Sequence, residues 1–140
     1  LLRRRIVEKL GRKGDKRAVN VLIEALKDND YDVREKAASA LGDIGDSRAV
    51  KPLMEGLEND NLDIYSVEPL CKLNNELGIK YLIKALQSVY YDEQKIGAEL
   101  LGEYGNSSVI DSLNELIVKE GKKEVLEAAK LAIEKIKSQL

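Results

Sequence analysis

Residues 41–50 read LGDIGDSRAV, and within those ten positions one helix stops and another starts. Upstream, Val33, Ala37, Ala40, Leu41 and Ile44 recur at steps of three and four, which lines one face of an α-helix with apolar side chains. Gly45 follows the stripe, where a residue at ease with left-handed backbone angles closes a helix. Asp46 comes next, a short acceptor for the free N–H groups of a new helix. Val50, Leu53 and Leu57 then form a second apolar stripe. The Gly-Asp pair is a stop and a start fused into one tight corner.

The same device recurs along the chain. Residues 10–26, LGRKGDKRAVNVLIEAL, align with 41–57, LGDIGDSRAVKPLMEGL, at an offset of 31, and with 101–117, LGEYGNSSVIDSLNELI, at a further offset of 60. Residues 71–86, CKLNNELGIKYLIKAL, are a degenerate copy two residues short. A period near 30 built of paired helical segments marks an α-solenoid. The expected fold is therefore all-α: one domain over 1–140, with about four helix pairs (1–30, 31–61, 62–90, 91–121) and a capping half-unit, 122–140. Helices are predicted near 2–12, 16–27, 32–44, 47–58, 63–73, 77–88, 92–104, 107–119 and 123–138. Asp32, Asp63 and Asp92 are placed to cap the first helices of their units. In the last helix Val125, Ala128, Ala129, Ala132, Ile133 and Ile136 share one arc, and Glu127, Lys130 and Glu134 wet the other side.

The third unit departs from the pattern. Lys72 and Asn75 stand near the places of Gly42 and Gly45, and Glu76 replaces the aspartate cap. Pro69 falls six residues into its helix, where a lost i→i−4 hydrogen bond typically costs about 3 kcal/mol. These faults predict a soft unit that exchanges amide hydrogens faster over 61–80 than over 32–57. Gly56 sits inside a helix, where alanine is expected to stabilise by up to about 1 kcal/mol if it fits the packing.

Composition narrows the function classes. The chain of 140 residues carries 23 Lys and Arg against 25 Asp and Glu, a net charge of −2 that selects no partner. The charge is uneven: residues 1–17 hold +6 and the remainder −8. Cys71 is the only cysteine, so no internal disulfide forms, and it falls at an apolar helical position that suits a small buried hydrophobe. No apolar run approaches the ~18 residues of a membrane span, and the expected location is cytoplasmic.

The stretch DVREKAASALGDIGDSRAVKPLMEGL, residues 32–57, resembles the PBS lyase HEAT-like repeat in its Asp-Val-Arg opening, its Ala-Ala pair, its Leu-Gly-x-x-Gly-Asp corner and the Arg-Ala-Val that follows. The resemblance is strong over 10–60 and 92–117 and weak over 61–80. It implies a stacking module whose uses are many. Deoxyhypusine hydroxylases of this broad group hold di-iron on His-Glu motifs, and this chain has no histidine. Phycobilin lyases handle a tetrapyrrole, and no local motif here identifies a pigment site.

Without histidine the usual neutral-pH base and the commonest transition-metal ligand are both missing. The serines have no activating histidine, and no glycine-rich phosphate loop is present. Asp28, Asp30 and Asp32 lack the glycine and closing glutamate of a calcium loop. The chain is thus expected to be a non-enzyme with no cofactor and no metal. Second helices of such solenoids line the concave face, and Lys51, Glu55, Lys80, Tyr81, Lys84, Asp111 and Glu115 are the expected contacts for a partner protein or peptide. Tyr65, Tyr81, Tyr90 and Tyr91 gather near the third unit beside Lys80 and Lys84, which suits recognition. The alternative is nucleic acid, held by Arg3, Arg4, Arg5, Arg12, Lys13 and Lys16, although no aromatic precedes Tyr31 for base stacking. A third reading is an accessory subunit of a cofactor-handling enzyme.

Overall fold

The computed structural model describes residues 1–119 and 121–140; Glu120, in the fourth expected unit, lies outside the described residues. The helices are α1 (Leu2–Lys13), α2 (Val19–Ala25), α3 (Tyr31–Ile44), α4 (Val50–Glu58), α5 (Val67–Leu73), α6 (Asn75–Ala85), α7 (Tyr91–Tyr104), α8 (Ile110–Lys119) and α9 (Lys123–Ser138). No strand occurs among the described residues. The fold is an all-α solenoid of helix pairs. The chain divides into two compact units, Leu1–Gly78 and Ile79–Leu140.

In the first unit the first helices lie side by side, α1 on α3 and α3 on α5, with α2 against α3 and α4 against α5. The stripes read from the sequence form the core: Val33, Ala37, Ala40, Leu41 and Leu53 are buried, with Ile44 and Leu57 packed against them. Full burial of one such leucine contributes about 1.5–3 kcal/mol relative to exposure. In the second unit α9 packs on α7 and α8, burying Val125, Ala128, Ala129, Ala132 and Ile136.

The corners are built as the sequence implies, with one refinement. Gly14 and Gly45 take left-handed angles, φ 61° and 77°. Asp15 and Asp46 then accept the backbone N–H of Arg17 and Arg48, both at 2.9 Å. Each aspartate closes a single 3₁₀ turn (Lys16–Ala18, Ser47–Ala49), and only then does the α-helix begin. The arginine guanidinium folds back on the same carboxylate, at 2.7 Å for Arg17–Asp15 and 2.8 Å for Arg48–Asp46. These arginine hydrogen bonds hold both carboxyls down to about 2. Arg48 also donates to the Lys16 carbonyl at 3.2 Å, tying one corner to the preceding one.

Several expectations need correction. Asp63 opens a 3₁₀ turn (Ile64–Ser66) before α5, so Asp63-x-x-Ser-Val-Glu-Pro-Leu repeats Asp46-x-x-Ala-Val-Lys-Pro-Leu. Pro69 is therefore the third residue of α5, as Pro52 is of α4, and lies in the first α turn, where N–H groups have no intrahelical partner. The expected helical fault does not exist. The register of the degenerate corner also shifts by one: the Asn74 N–H bonds to the Leu70 carbonyl at 2.7 Å, as Gly45 does to Leu41. Cys71 and Asn74, rather than Lys72 and Asn75, take the places of Gly42 and Gly45. Asn74 Oδ1 accepts the Leu77 N–H at 3.1 Å, so it also caps α6, and Glu76 does not. One residue does the work of the Gly-Asp pair, which accounts for the shortened corner.

Asp32 and Asp92 are not caps either. Asp30 caps α3 by accepting the Asp32 N–H at 2.9 Å, and Asp28 in turn accepts from Asp30 at 2.9 Å. At α7 the Ser88 hydroxyl oxygen accepts the Tyr90 N–H at 3.1 Å. Gly105 is extended, φ −79°, and glycine is required there by crowding: a Cβ would lie 2.8 Å from Val109 Cγ2. A Cβ on Gly56 would lie 2.7 Å from Leu62 Cδ1, so alanine fits only if that side chain moves.

Candidate interaction surface

Arg34, the arginine of the Asp-Val-Arg opening, is consumed by structure. Its Nε donates to the Asn61 carbonyl and its Nη1 to the Asp28 carbonyl, both at 2.8 Å, stapling two interhelical links. Gln94 holds the matching position of α7 and donates from Nε2 to the Ser88 carbonyl at 2.8 Å, six residues back as Asp28 is from Arg34. The shorter side chain does one of the arginine's jobs, and its buried Oε1 is left without a hydrogen bond.

Beside Gln94, within the second unit, α6 and α8 flank a groove of about 360 Å³ whose walls include Ile83, Leu86, Gln87, Ser112, Glu115 and Lys119. Of the residues expected to bind a partner, Glu115 lines this groove. Lys80 and Lys84 are exposed one turn apart on α6, and Asp111 is exposed on α8, outside the groove lining. Tyr81 is half-buried and already engaged within the fold. In the first unit Lys51 and Glu55 are exposed on α4, also one turn apart.

The tyrosines divide. Tyr31 donates to Asp63 at 2.7 Å; burial first, and then that bond, push its hydroxyl above the usual range. The Lys122 ammonium lies 4.8 Å from the centre of the Tyr91 ring. Tyr65 and Tyr90 are exposed. Cys71 is buried, which pushes its thiol up to about 12, as befits a packing residue. Arg3 and Arg4 of the basic end pair with Asp28 and Asp32 at 2.9 and 3.2 Å. Among the described residues no three His, Cys, Asp or Glu side chains converge to hold a metal, and no helix is long and apolar enough to cross a membrane.

Sequence reasoning missed Gln94 and the exposed Leu131 of α9. The signal for Gln94 was its alignment with Arg34; for Leu131 it was an apolar residue off the buried arc of its helix.

Paired helices joined by capped corners, with exposed charge on the second helix of each pair, define a protein of the α-solenoid class. More particularly, a family model of HEAT repeats matches residues 1–66, the span from α1 through the 3₁₀ turn before α5. Over that span the chain is similar to HEAT repeats. No curated protein matches it.

Proposed function

We propose that the chain is a non-catalytic module that binds a partner protein or peptide on its second helices. HEAT repeats commonly serve as protein-interaction modules, and the fold here spends its polar side chains on corners and staples rather than on a reactive cluster. The observation that carries the proposal is the α6–α8 groove. Glu115 and Lys119 of α8 line it together with Gln94, whose Oε1 is unpaired, and Lys80 and Lys84 stand exposed on α6 outside the lining. A segment that carries both acidic and basic side chains complements such a surface. The finer kinship we propose is with PBS lyase HEAT-like repeats, on the Asp-Val-Arg opening and the Gly-Asp corner.

Nucleic acid receives less support, because Arg3 and Arg4 are committed to Asp28 and Asp32. Affinity capture with the parent chain and with a Lys84→Glu, Glu115→Lys variant tests the proposal. A protein retained by the parent and lost by the variant supports it. Identical capture by both chains contradicts it.

A further inference from the structure

Two surfaces of this chain complement one another. On α1, Leu2, Arg5, Ile6, Lys9 and Lys13 follow at helical spacing and form one outward stripe, opposite the buried Val7. Leu2 and Ile6 are 70% and 47% exposed. Among the described residues Arg5, Lys9 and Lys13 enter no ion pair, whereas neighbouring Arg3 and Arg4 do. The stripe is an apolar pair inside a cationic border.

The second surface is the groove between α7 and α9, about 720 Å³. Its floor is Ala128 and Ala132, both buried, and its wall is Leu131, 61% exposed. Small residues set that floor because the helices approach closely: a Cβ on Gly102 would lie 2.9 Å from Ala132 Cα. Five glutamates and two lysines rim the groove, a net −3. Three of those glutamates face lysines at 3.7–3.9 Å, while Glu124 and Glu134 have no such partner among the described residues. The groove is thus apolar with an anionic border.

We propose that a second copy of this chain lays the α1 stripe into the α7–α9 groove, Leu2 and Ile6 against Leu131 and the two alanines, Arg5 and Lys9 against Glu124 and Glu134. An amphipathic helix seated in an apolar groove is a common recognition mode, and opposed borders select this occupant over an acidic one. Because the two surfaces differ, the contact is heterologous: each copy keeps one free stripe and one free groove, so association extends head to tail. The contact uses first helices and is independent of the second-helix surface.

Sedimentation of the chain across a wide concentration range, in low and high salt, reads the association. The parent is expected to grow beyond one chain's mass with concentration and to fall back as salt shortens the Debye length from about 14 to about 4 Å. An Arg5→Glu, Lys9→Glu variant and a Glu124→Lys, Glu134→Lys variant, all at exposed positions, are each expected to remain single chains. Mixed, the second variant's intact α1 meets the first variant's intact groove and the two reversed surfaces carry opposite charge, so association beyond one chain's mass is expected to return. A Leu131→Gln variant, neutral in charge, is expected to lose the association as well. A parent that stays a single chain throughout, variants that associate alone, or a mixture that fails to pair would each overturn the proposal.

Discussion

Gly42 of α3 and Pro69 of α5 are in direct backbone contact: a Cβ on Gly42 would lie 2.8 Å from Pro69 Cα. Gly11 meets Ala40, and Gly102 meets Ala132, in the same way. In α1, α3 and α7 the glycine after the leucine is therefore the point where neighbouring first helices close on one another, and Pro69 is part of that seam. Gly42→Ala must displace backbone, and we expect a loss of about 1–3 kcal/mol. Pro69→Ala is expected not to stabilise, since no helical hydrogen bond is restored. Denaturant unfolding of both variants checks this; a Pro69→Ala gain approaching ~3 kcal/mol would show that the proline breaks its helix after all.

Ser66 occupies the place that Ala18 and Ala49 hold in the 3₁₀ turns before α2 and α4, and its buried hydroxyl has no hydrogen-bond partner. Ser66→Ala is expected to stabilise by about 1 kcal/mol, because an unsatisfied polar group is removed from the core. A melting temperature at or below the parent's would contradict this.

Gly45→Val and Gly56→Ala are both expected to destabilise, for different reasons. The first forces a β-branched residue to φ 77°, with strain of about 1–3 kcal/mol. The second drives a methyl into Leu62, whose side chain can yield, so a smaller loss near 1 kcal/mol is expected despite alanine's better helix propensity. Thermal unfolding of the two variants ranks them.

The corner aspartates give stability a defined pH dependence. Asp15 and Asp46 titrate near 2 in the folded chain, below the ordinary 3.8, chiefly through their arginine hydrogen bonds. A lowered folded value means that their contribution is complete above about pH 4 and is lost as pH falls toward 2. Arg48→Ala should return Asp46 toward 3.8, read by carboxyl carbon NMR titration. An unshifted Asp46 would show that the backbone N–H alone depresses it.

Helix positions and the α-solenoid fold were legible because stripe, glycine and cap lie within a few residues of one another, as at 41–50. Errors arose where one residue does two jobs or where a distant contact decides. Asn74 both ends α5 and caps α6, so matching glycine for glycine put the register off by one. Pro69 looked harmful because a 3₁₀ turn preceding an α-helix leaves no mark in apolar spacing. Gly56 looked replaceable because Leu62, which fills the space a Cβ needs, lies in the following link. The exposure of Lys51, Glu55, Lys80, Lys84, Asp111 and Glu115 followed from helical phase alone. The grooves did not, since their depth depends on how closely two helices approach and on small residues such as Ala128 and Ala132.

The central claim, that the second helices receive the partner, is tested most directly by hydrogen exchange of the chain alone and with its captured partner. The account predicts slowed exchange over 80–87 and 111–119, with α1 and α9 unchanged. Protection confined to α1 or α9, with 80–87 and 111–119 exchanging as in the free chain, would contradict it.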